Sequence, residues 1–402
     1  WRFNLIGSNW SKETLASSLS LLPIKLLSVF LLGLVIAAGL GGESNPLLNF
    51  GPTFIWIVWW VGMAIGVALV GNIWALINPW KILFGWAEGL YRLIRPGREL
   101  SLGREYPAKC GIWPALVLFA LYTWIQDSYP KSDVPVQIAM MAIIYSATTL
   151  GGMFIFGKHQ WLKKGEAFSV VFGLLSRFSV TEVRVTDHDA CQACSSECLD
   201  LDRQCVDCYE CFERTKVREI NLRPFAIGLG RNETVTTDIL ALVVLMLATV
   251  TFDGFSATSA WAEFQTFTVD LFGSGSSEIL NSLVLADTLG VLLVPVAFFL
   301  VYLFFSKLMA GSVDGQISAL EMARIFSYSL IPIALAYNIA HFITLLLIQG
   351  QLIIPLVSDP FGSGWDLFGT VDYSLNISII NARILWFLSV ALIVLGHVLA
   401  VY

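Results

Sequence analysis

Residues 134–156 read V-P-V-Q-I-A-M-M-A-I-I-Y-S-A-T-T-L-G-G-M-F-I-F, 23 residues without one charged side chain. The hydrocarbon core of a bilayer takes about 20 residues of apolar helix, so this run is long enough to cross it. K-H-Q-W-L-K-K (158–164) follows almost directly, with Lys158, Lys163 and Lys164. An apolar run that stops at a basic cluster reads as a span whose far end meets the cytoplasm. The rest of the chain has the same character. Of 402 residues, 56% are hydrophobic and 13% charged, against about 25% charged in a soluble domain, and the mean hydropathy is +0.72.

Working outward, the hydropathy predicts eight spans. They are roughly Leu22–Leu40, Pro52–Pro79, Ile112–Gln126, Val134–Phe156, Thr237–Phe252, Asn281–Phe305, Ile325–Ile348 and Arg383 to Tyr402. Of the 24 Lys and Arg, all but Lys131 and Arg383 fall on alternate connections, starting with Arg2, Lys12 and Lys25. That is the positive-inside pattern, and it would fail in every later loop if the short third span were dropped. The other face is acidic, with Glu43, Asp127, Asp133, Asp253, Glu263, Asp270, Glu278, Asp359, Asp366 and Asp372.

The expected fold is therefore an all-α integral membrane protein in a bacterial inner membrane, surrounded by lipid. Both termini, and an insert between spans four and five, face the cytoplasm. Trp1 is no initiator and Tyr402 falls inside an apolar run, so both ends are expected to continue. Residues 1–157 hold spans one to four, with an amphipathic surface helix at 80–94. Residues 158–233 form the insert, opening with an interfacial helix at 166–178, and residues 234–402 hold spans five to eight. Trp56, Trp59, Trp60 and Trp74 suit a membrane interface. The net charge of −6 is spread over two faces, and the basic residues border spans instead of forming a groove-lining run, so nucleic acid is not an expected partner.

The insert carries C-Q-A-C-S-S-E-C-L-D-L-D-R-Q-C-V-D-C-Y-E-C (191–211), six cysteines in one polar loop. A cytoplasmic loop keeps its thiols reduced, which argues for a metal over a disulfide scaffold. Cys191-x2-Cys194 with Cys205-x2-Cys208 or Cys208-x2-Cys211 suits a four-cysteine zinc site, each pair presenting two thiolates. Cys205-x2-Cys208-x2-Cys211 with a remote fourth cysteine suits an iron–sulfur cluster. His188 is a spare ligand, and Cys110, alone near a span, reads as a packing residue.

Ionisable groups inside spans are costly and point to function. Asp287, His341 and His397 qualify. At about 1.5 Å of rise per residue, His341 lies roughly 10 Å and His397 roughly 20 Å below the outer surface. That offset argues against one haem held between them and leaves haem open otherwise. Asp253 in T-F-D-G-F and Asp359 in S-D-P-F-G are expected just outside spans five and seven. With Asp287 and His341 they would supply carboxylates and imidazole for a hydrolytic metal or a general base at the outer face. Asp before Gly or Pro is equally a turn former. No nucleophile elbow, Walker loop or dinucleotide fingerprint is present.

Several longer stretches carry a resemblance: W-V-G-M-A-I-G-V-A-L-V-G-N-I-W-A-L-I-N-P-W (60–80), K-K-G-E-A-F-S-V-V-F-G-L-L-S-R-F (163–178), N-L-R-P-F (221–225), T-V-T-F-D-G-F (249–255), A-Y-N-I-A-H-F (336–342), S-D-P-F-G-S-G-W-D-L-F-G-T (358–370) and L-G-H-V-L-A-V-Y (395–402). In this order along nearly the whole chain, they resemble the fenitrothion-hydrolase-like family of bacterial integral membrane proteins, in its branch with a Cys-rich insert. The resemblance implies hydrolysis of an organophosphorus ester and transfers no catalytic residue. Three functions are thus expected: a membrane hydrolase with a metal-bound insert, a non-enzymatic or redox subunit of a larger membrane complex, and a transporter whose path passes Asp287 and His341.

Overall fold

Among the described residues of the computed structural model, eight helices are long and apolar enough to cross a membrane. They are α1 (Leu22–Gly41), α2 (Phe50–Leu69), α3 (Ala108–Ser128), α4 (Pro135–Phe156), α5 (Thr237–Ser256), α6 (Ser282–Gly311), α7 (Ser327–Ser358) and α8 (Ala382–Val401). The structure describes residues 3–5, 21–194, 198–231, 233–272, 282–313 and 317–401. Arg2, Lys12, Glu278 and Asn281, used above to assign topology, lie outside them, as do Trp1 and Tyr402. The chain is an all-α multi-pass protein. On α6, Leu292, Leu293, Val296, Leu300 and Phe304 are exposed, an arrangement unfavourable in water and natural against lipid.

The chain divides into two compact units, each discontinuous in sequence. Unit 1 comprises Trp1–Ala115, Val134–Glu233 and Ile348–Asn376. Here α1 lies on α4, so closely that a Cβ on Gly39 would meet the carbonyl oxygen of Pro135 at 2.5 Å. The second span was expected to run to Pro79, but α2 stops at Leu69. Gly71 takes φ +148°, and a Cβ there would sit 2.0 Å from Thr181 Oγ1, so only glycine fits the turn. Thr181 Oγ1 donates to the carbonyl of Val70 at 2.6 Å and fixes the break. Asn78 then caps helix Pro79–Ile94, accepting from the Lys81 amide at 3.1 Å. That helix is amphipathic as expected, with Trp80, Ile82 and Phe84 buried and Leu90, Leu93 and Ile94 exposed.

Helix Ala167–Leu175 departs from expectation. Seven of its nine residues are buried, so it runs through the interior instead of along a surface. Its Phe168 and Phe172 pack on Trp59, Trp60 and Trp74, with Trp59 and Phe168 ring centroids 4.5 Å apart. These tryptophans pack into a core. Glu166, fully buried, caps the helix by accepting from the amides of Phe168 at 3.0 Å and Ser169 at 2.7 Å, and Tyr145 donates its hydroxyl to the same carboxylate.

The insert that follows contributes three strands, and Phe3–Asn4 a fourth, to a small antiparallel sheet absent from the helical expectation. Strands β1 (Phe3–Asn4), β2 (Thr181–Val185), β3 (Cys205–Val206) and β4 (Arg218–Leu222) lie in the order β1-β4-β2-β3. Val183 pairs with Ile220 and Val185 with Cys205, which aims the apolar residues of β2 at the cysteine loop.

Unit 2 comprises Leu116–Asp133, Thr234–Leu347 and Ile377–Tyr402. In it α5 packs on α6 at Gly290, where a Cβ would meet the Phe252 ring at 2.2 Å. A further helix, Ser259–Phe272, occupies what the sequence suggested was a loop, and its Trp261 meets Phe252 edge-on at 4.9 Å. Because α5 continues to Ser256, Asp253 lies in its last turn and not beyond its end.

Candidate metal centre

Two short helices and one strand carry three of the insert's six cysteines, Cys191, Cys205 and Cys211, while Cys208 caps one helix and Cys194 and Cys198 lie outside regular elements. Cys191 is on helix His188–Gln192, whose start Asp187 caps by accepting from the amides of Asp189 and Ala190. Cys205 opens β3, Cys208 caps helix Tyr209–Arg214, and Cys211 lies one turn into that helix. All six are free thiols. They gather into two sets of four, Cys191, Cys198, Cys205 and Cys211, and Cys194, Cys198, Cys208 and Cys211. Within each set every sulfur lies within 4.8 Å of the others. A single ion with metal–sulfur bonds near 2.3 Å holds its four sulfurs about 3.8 Å apart, so each set can close on one ion by small side-chain rotations. Neither set includes His188.

The pairing differs from the one the spacing suggested. Cys191-x2-Cys194 and Cys205-x2-Cys208 each split, sending one sulfur to each set, while Cys198 and Cys211 belong to both. Cys211 is fully buried and Cys205 is 3% exposed. Around the sulfurs, the insert's interior holds little hydrocarbon, chiefly Val183, Val185, Phe212, Tyr209 and Ile220.

The thiols differ sharply in acidity. Cys208 is held down at about 5, first by the Cys205 thiol donating to it, then by the Cys211 amide at the helix start, both against desolvation. Cys205 is pushed far above the ordinary thiol range, first by that same hydrogen bond and then by burial. Burial also raises Cys211, followed by the nearby Cys208 charge, and it raises Cys191. One thiolate forms readily and its neighbours resist, which is how a dry sulfur nest behaves until a cation enters and displaces the protons.

Asp207, not singled out from the sequence, locks the loop. It takes φ +55° between Cys205 and Cys208, a left-handed conformation that Asp tolerates better than most residues. Its Oδ1 accepts from the Val183 amide at 2.9 Å, its own amide donates to the Val183 carbonyl at 2.7 Å, and its Oδ2 pairs with Arg231. Arg223 lies 3.7 Å from the same oxygen and is otherwise tied to Glu182 at 3.3 Å and to the carbonyls of Ser176 and Ser179 at 3.1 Å. Arg223 sits in N-L-R-P-F, so the only hint in the sequence was a basic residue beside a proline.

The candidates in and beside the spans each have hydrogen-bond partners of their own. In unit 2, His341 Nε2 and Asp253 Oδ2 meet at 2.8 Å. Asp287 Oδ1 accepts from Trp261 Nε1 and Gln265 Nε2, both at 2.9 Å. Asp127, noted above only as an outer-face acid, lies within Coulombic reach of both Asp253 and Asp287, and its Oδ1 is buried without a hydrogen-bond partner. His397 Nδ1 is engaged with the Ile393 carbonyl of its own helix at 2.8 Å. Asp359 belongs to unit 1, where its carboxylate accepts from the amides of Ser363 at 2.9 Å and Gly364 at 2.6 Å, the work of a turn former. Among the described residues, the groups of three or more His, Cys, Asp or Glu close enough to share an ion are the two cysteine sets. No family model, curated protein or solved structure matches the chain.

Proposed function

We infer that the insert is a metal–thiolate module of an inner-membrane protein, and that its metal is zinc in a structural role. The observation that carries this reading is the compactness of the two four-sulfur sets. Four protein sulfurs per ion leave no open position for substrate, the mark of a structural site. An iron–sulfur cluster places a separate iron behind its thiolates and spreads them wider than one ion does, so the close sets favour single ions. The alternation of basic loops supports a cytoplasmic insert, where thiols stay reduced. With little hydrocarbon around the sulfurs, the cysteine-bearing part of the insert draws its folding free energy from the metal.

Elemental analysis and a visible spectrum of the purified full chain test this. Zinc in a colourless protein is the expected result. A brown protein bleached by dithionite would overturn it in favour of a redox subunit, and a metal-free protein with a folded insert would overturn it altogether. An impermeant thiol reagent that labelled the insert from outside intact cells would refute the sidedness.

A second reading, the ester hydrolase implied by the resemblance, draws on the pair at the end of α5. With its Nε2 proton given to Asp253, His341 offers Nδ1 as a base, and the carboxylate steadies the imidazolium that forms. The His341–Asp253 contact supports proton transfer by imidazole at this face. Phosphotriester turnover lost in His341→Gln and reduced at least tenfold in Asp253→Asn is expected. Unchanged turnover in both would remove the reading.

A further inference from the structure

The two sets of sulfurs are not alternatives for one ion. They share two members, Cys198 and Cys211, and together they use all six thiols. Two tetrahedra joined along one edge have this composition: six corners, of which two belong to both. We propose that the insert binds two divalent metal ions in a single binuclear centre, with Cys198 and Cys211 as bridging thiolates. Cys191 and Cys205 are then the terminal ligands of one ion, and Cys194 and Cys208 those of the other. The proposal rests on the metal–thiolate reading above and extends it to stoichiometry and ligand role.

Three features of the chain fit this arrangement better than a single ion. First, the split of Cys191-x2-Cys194 and Cys205-x2-Cys208 gives each ion one terminal sulfur from each pair, so the two ions are held by the same backbone turns. Second, a lone ion in either set would strand two buried or half-buried thiols. Those left over would be Cys194 and Cys208, whose sulfurs are 3.7 Å apart, or Cys191 and Cys205, whose sulfurs lie within 4.8 Å of each other. In either case the stranded pair is the matching half of a second site. Third, Cys211, which the geometry assigns as a bridge, is the fully buried thiol of the six and belongs to both sulfur sets, whereas the other bridge, Cys198, is half-buried.

The charge balance also closes. Six thiols release six protons and two dications bind, leaving a net charge of −2 on the centre. One dication with four thiolates leaves the same −2, so the second ion enters without adding to the charge that the insert must hold. Arg214 and Arg218 stand at the rim, Arg214 donating to the Ala193 carbonyl and Arg218 lying 4.3 Å over the Phe212 ring.

The test is metal-to-protein stoichiometry on the full wild-type chain in detergent, by elemental analysis and by titration of the metal-free protein with cobalt(II). Two ions per chain are expected, with the sulfur-to-cobalt charge-transfer band saturating at two equivalents. X-ray absorption should show a four-sulfur shell and a metal–metal distance of ~3 Å, about twice the distance from a tetrahedron's centre to its shared edge. Terminal and bridging roles separate by mutation. Cys191→Ser and Cys194→Ser should each drop the ratio from two to one, whereas Cys198→Ser and Cys211→Ser should lose both ions. One ion per chain in the wild type, without a metal–metal vector, would overturn the binuclear centre and leave the metal–thiolate reading standing. Acid-labile sulfide with iron would overturn the binuclear centre and the zinc assignment together. No bound metal would overturn both.

Discussion

Replacing Asp207 with alanine probes how the loop is held. At φ +55° the backbone costs Ala roughly 1 kcal/mol more than a residue suited to that conformation. The hydrogen bond from the Val183 amide to the carboxylate, 2.9 Å long and partly buried, contributes about 2 kcal/mol, since its acceptor is charged. Together these predict a loss of about 3 kcal/mol from local opening of the insert, before any loss from the Arg231 pair. Asp207→Gly removes only the carboxylate and should cost about 2 kcal/mol, because glycine adopts the turn freely. Asp207→Asn keeps the turn and an acceptor and should be mildest. The assay is the denaturant concentration at which the metal-loaded protein opens its loop and releases its ions to a chromogenic chelator, compared between variants at equal metal content. If Ala and Gly variants open at the same denaturant concentration as wild type, the left-handed turn and its carboxylate are not what holds the loop.

Other outcomes follow from the same structure. Gly290→Ala would drive a methyl to 2.2 Å from the Phe252 ring and should destabilise unit 2 by about 1–3 kcal/mol, read as a lower melting temperature in detergent. Trp261→Phe removes one of two donors to Asp287 Oδ1 and should cost about 1 kcal/mol while leaving metal content unchanged. Burial holds His159 at about 4 against the ordinary 6.5. The unfolded chain therefore takes up its proton as pH falls through 6.5 while the folded chain does so only near 4. Stability is full above that window, is lost across it by up to roughly 3 kcal/mol, and changes no further below it. His159→Gln should flatten the difference between unfolding midpoints at pH 7.5 and pH 4.5. Cys110→Ser should retain every bound ion, since Cys110 lies outside both sulfur sets.

What could be read from the chain divides along a physical line. The spans were legible because hydropathy over about 20 residues is a local property, and all eight apolar helices lie where it peaks. The end of α2 was not, because Val70–Ile77 is as apolar as what precedes it. Only the approach of Thr181, more than a hundred residues away, forces the break at Gly71. Helix Ala167–Leu175 has a surface-like flank in Lys163, Lys164 and Arg177 but is covered by tryptophans from distant segments. The sheet did leave a trace, the alternation in T-E-V-R-V, which a five-residue strand offers too briefly to outweigh its helical surroundings. The six cysteines announced a metal through their number. Their division into two sets was hidden, because spacing along the chain says which thiols are near in sequence and not which turn toward the same point. The partnership of His341 with Asp253, on different helices, is likewise a matter of packing alone.

An interior lined by sulfur ages differently from one lined by hydrocarbon. Removing two electrons from Cys194 and Cys208, 3.7 Å apart, would join them and disarm one sulfur set while leaving Cys191, Cys198, Cys205 and Cys211 intact. Peroxide would then act on this module in steps, as a dose that is counted, where heat acts all at once.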